Sequence, residues 1–372
     1  MAIVGAGPVG CALSVALAAN GKKVLLVDKE KISVASTTSR KIALTYGSKV
    51  ILEKIGVWSK IESFTAINSV HVSHRGNFGQ VLLDRKLVDL PALGYVLSYS
   101  NIRDALISRA RLEGVHVQDQ CSIGSLAVRG GKSCITGQAK GGATKEFFSD
   151  LTVIADGGGQ LAEKNIVKIK EKNFNQSAIV GTVFTDQNHC NVAYERFTES
   201  GPIALLPHNS NYALVWISTP LETEHLLQKS QKKFLQSLQE KFGFRAGQFV
   251  KVERRQSVPI KMKYATNITG ERLILLGNAA QFMHPVAAQG LNLGLRDVAD
   301  LSKLIRQYPG TNIGNNNFLY RYRKLRRHDR LFGVLFTNFI VKLFSNKIAP
   351  IVISRSIGLL MLSLMPRLRK LL

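Results

Sequence analysis

Apolar and polar positions divide the chain into three textures. The opening stretch "AIVGAGPVGCALSVALAANGKKVLLVDKE" reads strand, glycine turn, helix, turn, strand. Leu13, Ala16, Leu17 and Ala18 are the apolar positions of a helix that ends near Asn20 and Gly21, and "KVLLVD" is a buried strand ending in an acid. This βαβ unit predicts a parallel sheet. Next, "SRKIALTYGSKVILEKIGVWSKI" reads as a loop leading into a helix, and "INSVHVSHRGNFGQVLL" alternates like a strand pair about a Gly-containing turn. "SNIRDALISRARLEGVHV" is a helix and a strand, and "SDLTVIADGGGQ" is an apolar strand running into an Asp-Gly corner.

From about Val180 to Pro259 the pattern shortens. "AIVGTVFTD", "VAYERFT", "GPIALLPH" and "NYALVWISTP" are short strands between turn signals, with "QKKFLQSLQEKFG" as an intervening helix. These strands predict an antiparallel sheet able to floor a pocket, with Trp216 and Phe197 in its core and His208 in a loop. Beyond them "RLILL" runs into "GNAAQFMHPVAAQGLNLGLRD". In the tail, Phe332, Leu335, Phe336, Phe339 and Leu343 recur at helical spacing, followed by "APIVISRSIGLLMLSLMP".

The predicted class is α/β: a Rossmann-like nucleotide-binding domain interleaved with an antiparallel-sheet substrate domain, plus a C-terminal helical segment. The nucleotide-binding parts, assigned below to FAD, are residues 1–70, 99–172 and 265–330. Residues 71–98 and 173–264 form the substrate domain, and 331–372 the helices.

The 372 residues, 45% hydrophobic and 20% charged, suit a globular chain. The 50 Lys and Arg against 25 Asp and Glu leave a formal charge of +25, which bears on association rather than fold. No zinc spacing, RNP-like aromatic motif or helix-turn-helix pattern is present, so nucleic acid is not the expected partner. An anionic membrane surface is. The densest basic run, Arg321 to Arg330, reads either as a solvated helix face or as membrane attraction, and the tail either as a packed helix pair or as an interfacial helix. No stretch of 18 uninterrupted apolar residues exists to span a bilayer. The glycine spacing of the first apolar stretch marks a nucleotide loop rather than a signal peptide. Cys11, Cys121, Cys134 and Cys190 form no C-x-x-C pair and suggest reduced, mostly buried thiols and a cytoplasmic setting.

Gly5, Gly7 and Gly10 form G-x-G-x-x-G. Their roles are the tight turn, backbone approach to a pyrophosphate, and close helix–strand packing. Asp28, 18 positions after Gly10, ends the second strand, where a carboxylate accepts hydrogen bonds from ribose hydroxyls. An NAD site needs one such corner. FAD also carries a ribitol chain and a three-ring isoalloxazine, which require donors away from the adenosine. The second corner offers the Asn278 side chain for ribitol, Pro285 as a ring wall without an N–H, and a Gly290-Leu291-Asn292 turn opening a helix toward the flavin. His284 is either a proton relay or the residue that shapes the turn before Pro285.

With these motifs in place, the chain resembles the class A FAD-dependent aromatic hydroxylases. It is most similar to the ubiquinone-biosynthesis hydroxylases of the 2-octaprenyl-6-methoxyphenol hydroxylase type. The resemblance runs through "IVGAGPVG", "SRKIAL", "GVWSKI", "VHVSHRG", "ADG", "YERFTESGPIALLP", "LVWISTP" and "GNAAQFMHPVAAQGLNLGLRDV". It implies that Gly5, Gly7, Gly10 and Asp28 hold the ADP half of FAD, that Arg40 and Arg103 lie near the pyrophosphate and ribitol, and that Asp156 and Gly157 serve both FAD and NAD(P)H. It implies that Asn278, Pro285, Gly290, Leu291 and Asn292 hold ribitol and isoalloxazine. Asn278 and Asp28 replace a more usual Asp and Glu, and "ADGGGQLAEK" departs from the family's continuation. The implied reaction is hydroxylation of a polyprenyl phenol in ubiquinone biosynthesis, with NAD(P)H as transient reductant and O2 used through a C4a-hydroperoxyflavin. The implied setting is the inner face of a membrane, with a multiprotein quinone-biosynthesis assembly as a further partner. The competing expectations are a scaffold subunit of that assembly and another flavin oxidoreductase such as an epoxidase or reductase.

Overall fold

The computed structural model describes all residues except 33–39, 159–160, 162, 164–167, 284–288, 311, 346–347, 366–368 and 370–372, and gives backbone alone for 337, 340–342, 345 and 349. Among the described residues eight helices have nine or more residues. They are α1 (Pro8–Ala18), α2 (Tyr46–Lys54), α3 (Tyr99–Leu112), α4 (Pro220–Gln228), α5 (Gln231–Phe242), α6 (Gln289–Gln307), α7 (Asn316–Ser345) and α8 (Ala349–Leu364).

The first layer is a six-stranded sheet in the order Thr269–Gly270, Leu273–Leu275, Thr152–Ile154, Ala2–Val4, Leu25–Val27, His116–Gln118. All its pairings are parallel except the hairpin at Thr269–Gly270. The central strands are short apolar runs buried on both faces, as a sheet covered by helices requires. α1, α3 and α6 supply Leu13, Leu17, Ile102, Leu106, Leu295 and Val298 to the same core.

The second layer is an eight-stranded sheet. Its order is Gln281–Phe282, Phe249–Ala265, Ile169–Thr185, Asn211–Ser218, Pro202–His208, Val192–Phe197, Ser69–His74, Gln80–Asp84. Only the Val192–Phe197 and Ser69–His74 strands pair in parallel. Period-2 alternation gives the sheet two different faces. One face packs Trp216, Leu214 and Ile203 against Phe234, Leu238 and Phe242 of α5. On the other face Ala178, Ile217 and Ile260 form a smaller cluster, and Phe197 stacks on Phe344 of α7 with ring centroids 3.6 Å apart.

Trp216 is fully buried, as its setting in the alternating strand predicts. Other expectations need correction. "KIALT" in the anticipated loop is a strand, Lys41–Thr45, because it pairs in register with Gly94–Ser98 far along the chain. His208 ends a strand and is buried rather than lying in a loop. A three-stranded meander, Cys121–Arg129, Lys132–Ala139 and Thr144–Ser149, was not anticipated. Cys11, Cys121 and Cys134 are buried free thiols but Cys190 is exposed, at a left-handed residue in a turn. The run Arg321 to Arg330 is not uniformly solvated. Arg326 is 1% exposed, and Arg330 donates to Gln281 Oε1 (2.7 Å) and the Ala265 carbonyl (2.9 Å).

Candidate flavin site

The first corner is built by close approach. Gly5 has φ +108°, and a Cβ there would lie 2.5 Å from the Ala155 carbonyl oxygen. A Cβ on Gly10 would lie 1.9 Å from the Gly5 carbonyl oxygen, so α1 meets the strand only with glycine at both places. Gly7 is different. Its Cβ would meet nothing nearer than the Tyr99 hydroxyl at 3.7 Å, so space is left over the turn. Gly7 is the N-cap of α1, no side chain caps the helix, and Pro8 occupies its first turn. Backbone amides and the positive end of the helix dipole therefore face that space, which suits a pyrophosphate.

Asp28 Oδ2 accepts from the Ala6 amide (2.5 Å) and Oδ1 from the Glu30 amide (2.8 Å), which sets the carboxylate beside the glycine turn. The Tyr99 amide donates to the Arg40 carbonyl (2.8 Å). Burial raises the Tyr99 phenol above its usual range against the opposing charges of Arg40 and Arg103, and Arg103 also acts on Cys11. Both arginines thus stand at this corner. Cys11, fully buried, is pushed up to about 12 by burial and stays an uncharged thiol. Asp156 and Gly157 follow the neighbouring strand. Gly157 has φ +75°, Asp156 Oδ1 accepts from the Gly158 amide (3.2 Å), and the backbone of Ala155 and Asp156 lies against Gly5.

The second corner lies against the first. The Leu276 amide donates to the Ile154 carbonyl (2.9 Å), and the chain then turns at Gly277, φ +56°. Cβ atoms on Gly277 and Gly294 would fall 3.1 and 2.5 Å from Val9 Cγ2, and Val9 sits inside the first glycine motif. Asn278 lies in a 3-10 turn, its Oδ1 3.5 Å from where a Gly290 Cβ would be. The described part of α6 runs from Gln289, so Gly290 and Leu291 belong to its first described turn. The anticipated turn at Gly290-Leu291-Asn292 is therefore already helix.

The Asn292 side chain is bonded within the protein. Its Oδ1 accepts from Ser48 Oγ (2.6 Å) and the Thr45 amide (2.9 Å), and its Nδ2 donates to the Ala43 carbonyl (3.1 Å). It staples α6 to the Lys41–Thr45 strand and α2. His284 and Pro285 lie outside the described residues.

An ion cluster not visible in the motifs backs the second corner. Asp297 Oδ2 accepts from the Gly277 amide (3.0 Å), and Oδ1 accepts from Arg326 Nε (2.6 Å). The other two guanidinium nitrogens bind Asp300 (2.5 Å) and Asp329 (2.6 Å). Burial pushes the Asp297 carboxyl up to about 6, against the pull of Arg326 and the Gly277 amide. For Arg326, burial opposes the charge, but Asp297 and the acids around it hold its pKa above the ordinary value. The only sequence signal was an Asp on the apolar-striped α6 and an Arg in a helical basic run.

The residues present fit FAD: a dinucleotide turn with open space at Gly7, an acid for the ribose, and a second set of amides meeting it through Val9. Among the described residues no group of three or more His, Cys, Asp or Glu side chains could hold a metal ion.

Comparison with known proteins agrees. The FAD binding domain family matches residues 1–329. Ubiquinone hydroxylase UbiL of Rhodospirillum rubrum is 31% identical over 96% of this chain and 84% of its own length. The 3-demethoxyubiquinol 3-hydroxylase of Escherichia coli is 26% identical over 97% and 93%. Among solved structures, p-nitrophenol 4-monooxygenase PnpA from Pseudomonas putida superimposes with a TM-score of 0.77 at 14% identity, over 99% of this chain and 94% of that one. PqsL of P. aeruginosa gives 0.77 at 16%, over 96% and 98%. With both corners in place and the match spanning the chain, this protein belongs to the FAD-binding aromatic monooxygenases, among the ubiquinone-biosynthesis hydroxylases.

Proposed function

We propose that this enzyme hydroxylates the ring of a polyprenyl phenol in ubiquinone biosynthesis, taking two electrons from NAD(P)H and one oxygen atom from O2. The observation that carries this reading is the meeting of the two corners at Val9, with a half-buried apolar strip on the sheet face turned away from α5. Bound flavin supplies the oxygen activation. The protein's part is to hold and shield it. Gly7, Asp28 and the arginines 40 and 103 would grip the ADP half. Asn278 would bond ribitol hydroxyls, and the first-turn amides of α6 would face the ring's electron-rich edge. Val72, Ala204, Val215 and Val180, all half-buried, form an apolar strip of sheet suited to a phenol ring and the start of its prenyl chain.

The tail fits access from a bilayer. No described helix is long and apolar enough to cross a membrane. Leu331, Phe332, Leu335 and Phe339 of α7, with Ile357 and Leu364 of α8, are all more than 40% exposed. The exposed cations Arg323, Lys324 and Arg327 precede them on α7. Apolar side chains next to cations match the boundary of an anionic lipid surface, and each cation contributes roughly 1 kcal/mol there.

The test is purified protein reconstituted with FAD and supplied with NAD(P)H, ¹⁸O2 and a polyprenyl phenol in detergent. The reading expects phenol-stimulated NAD(P)H oxidation and one labelled oxygen in the product. Protein that takes up no FAD, or product without label, refutes it.

A further inference from the structure

One carboxyl on the face of the eight-stranded sheet turned away from α5 has no hydrogen-bond or ion-pair partner among the described residues. Glu195 lies in the strand Val192–Phe197, opposite Ala204 on one side and Val72 on the other. The row continues through Val215 to Val180. Its two neighbours, Tyr194 and Arg196, point to the opposite face. There Tyr194 meets the ring of Phe242 (5.7 Å), and Arg196 donates to the Lys241 carbonyl (3.4 Å) of α5. Alternation therefore sends Glu195 away from α5.

Its companions on that side locate it. Ala193 packs with Ile67, Val96 and Ala43, and the Ala43 carbonyl is bonded by Asn292 at the second flavin corner. Phe197, at the other end, is sealed by Phe344. Glu195 thus sits between the corner and the tail helices, half-buried in an otherwise apolar strip.

No hydrogen bond or ion pair reaches it among the described residues. The other charged or titratable groups on this face stand farther along the strands. His74 and Arg355 lie beyond Phe197, and Arg355 Nη2 donates to His74 Nδ1 (3.2 Å). His208 lies beyond Leu206, with Lys41 acting on it and Arg254 acting on Lys41. Both histidines are held down to about 4, mainly by burial, and are neutral at working pH.

We propose that Glu195 is the catalytic residue that accepts the hydrogen bond of the substrate's phenolic hydroxyl and takes its proton during ring hydroxylation. This rests on the hydroxylase reading above. The phenol O–H proton moves to the Glu195 carboxylate as the ring carbon forms its bond to one atom of O2. When the ring C–H proton leaves to solvent and aromaticity returns, Glu195 gives its proton back to the phenolate. The second oxygen atom leaves as water, with two electrons from NAD(P)H and one further proton. An apolar floor suits this work. Burial alone raises the carboxyl to about 7, so acid and base forms are both populated near neutral pH.

The experiment compares wild type with Glu195→Gln, which keeps size and removes the base, and Glu195→Asp, which keeps the base one methylene away. The substrate is 2-geranylphenol in detergent micelles. Expected for Glu195→Gln are unchanged FAD content and a NAD(P)H oxidation that needs more phenol for half-maximal stimulation, with electrons diverted to hydrogen peroxide. Product per NAD(P)H should fall about 10²-fold, and the rise of product rate through pH 7 should disappear. Glu195→Asp should restore part of the yield. Product per NAD(P)H within about threefold of wild type, with the pH rise intact, overturns the proposal. Without NAD(P)H, titrating a bound geranylated 4-nitrophenol reads the same contact independently of turnover. An unmoved phenol titration and an unmoved Kd in Glu195→Gln also overturn it. A wild type that forms no labelled product sinks the hydroxylase reading instead, while the nitrophenol titration still decides the Glu195 contact.

Discussion

Replacing Arg326 by Met tests whether the tail helix α7 props up the flavin corner. The guanidinium touches three carboxylates with three different nitrogens, at 2.5–2.6 Å, and both Arg326 and Asp297 are 1% exposed. Asp300 and Asp329 are partly exposed and recover water when the arginine goes, so they add little. Asp297 cannot. Losing one member of a buried pair costs about 3–5 kcal/mol. The same carboxylate holds the Gly277 amide, so the FAD affinity of the folded variant should drop as well. Because the Asp297 pKa is raised in the folded state, its protonated form favours folding, and stability falls as pH rises from 3.8 through about 6. Arg326 opposes that shift, so without it the deficit should widen between pH 5 and pH 8. Urea unfolding of the apoprotein gives the first quantity, and flavin fluorescence quenching gives the second. Arg326→Met combined with Asp297→Asn removes the stranded charge and should regain much of the loss. A single-variant deficit below about 1 kcal/mol, or a double variant no more stable than the single, would refute the reasoning.

Other outcomes follow from the same geometry. Gly7→Ala should leave apoprotein stability close to wild type, since its Cβ meets only the Tyr99 hydroxyl at 3.7 Å, yet weaken FAD binding at least tenfold; Gly10→Ala, aimed 1.9 Å from a backbone oxygen, should fail in both assays. His74 Nδ1 accepts from Asn77 (2.5 Å) and Arg355 (3.2 Å), so the ring must be neutral there. Its pKa is depressed from 6.5 to about 4, so its stabilising contribution is complete above 6.5 and is lost as pH falls toward 4; melting curves of His74→Gln should show a shallower loss over that window. Phe332→Ser with Phe339→Ser should reduce sedimentation with phosphatidylglycerol vesicles while leaving FAD content unchanged, and equal sedimentation would count against the lipid-facing tail.

The local pattern carried a good part of this protein. Glycine spacing, the acid after "KVLLVD" and the second corner identified the flavin and its two grips, because those constraints act over a few residues and leave marks in the string. Apolar runs and alternation likewise announced the parallel sheet and the α5-facing core around Trp216. What the string could not show were contacts between remote residues. Lys41–Thr45 becomes a strand only because Gly94–Ser98 lies beside it. The Asn292 motif gives no sign that its side-chain amide is bonded to Ser48, Thr45 and Ala43. Arg326 and Arg330 look like two more surface cations, and tertiary packing turns them into internal anchors.

Glu195 makes the same point for chemistry. Its motif marks a strand, but the string does not say which face the carboxyl takes or that the face is apolar. Sequence alone settled the cofactor and the class of fold, since backbone geometry at glycine and strand periodicity are local properties. The folded chain decided which charges are buried, paired or left over, since desolvation and ion pairing depend on neighbours brought together from distant parts of the chain.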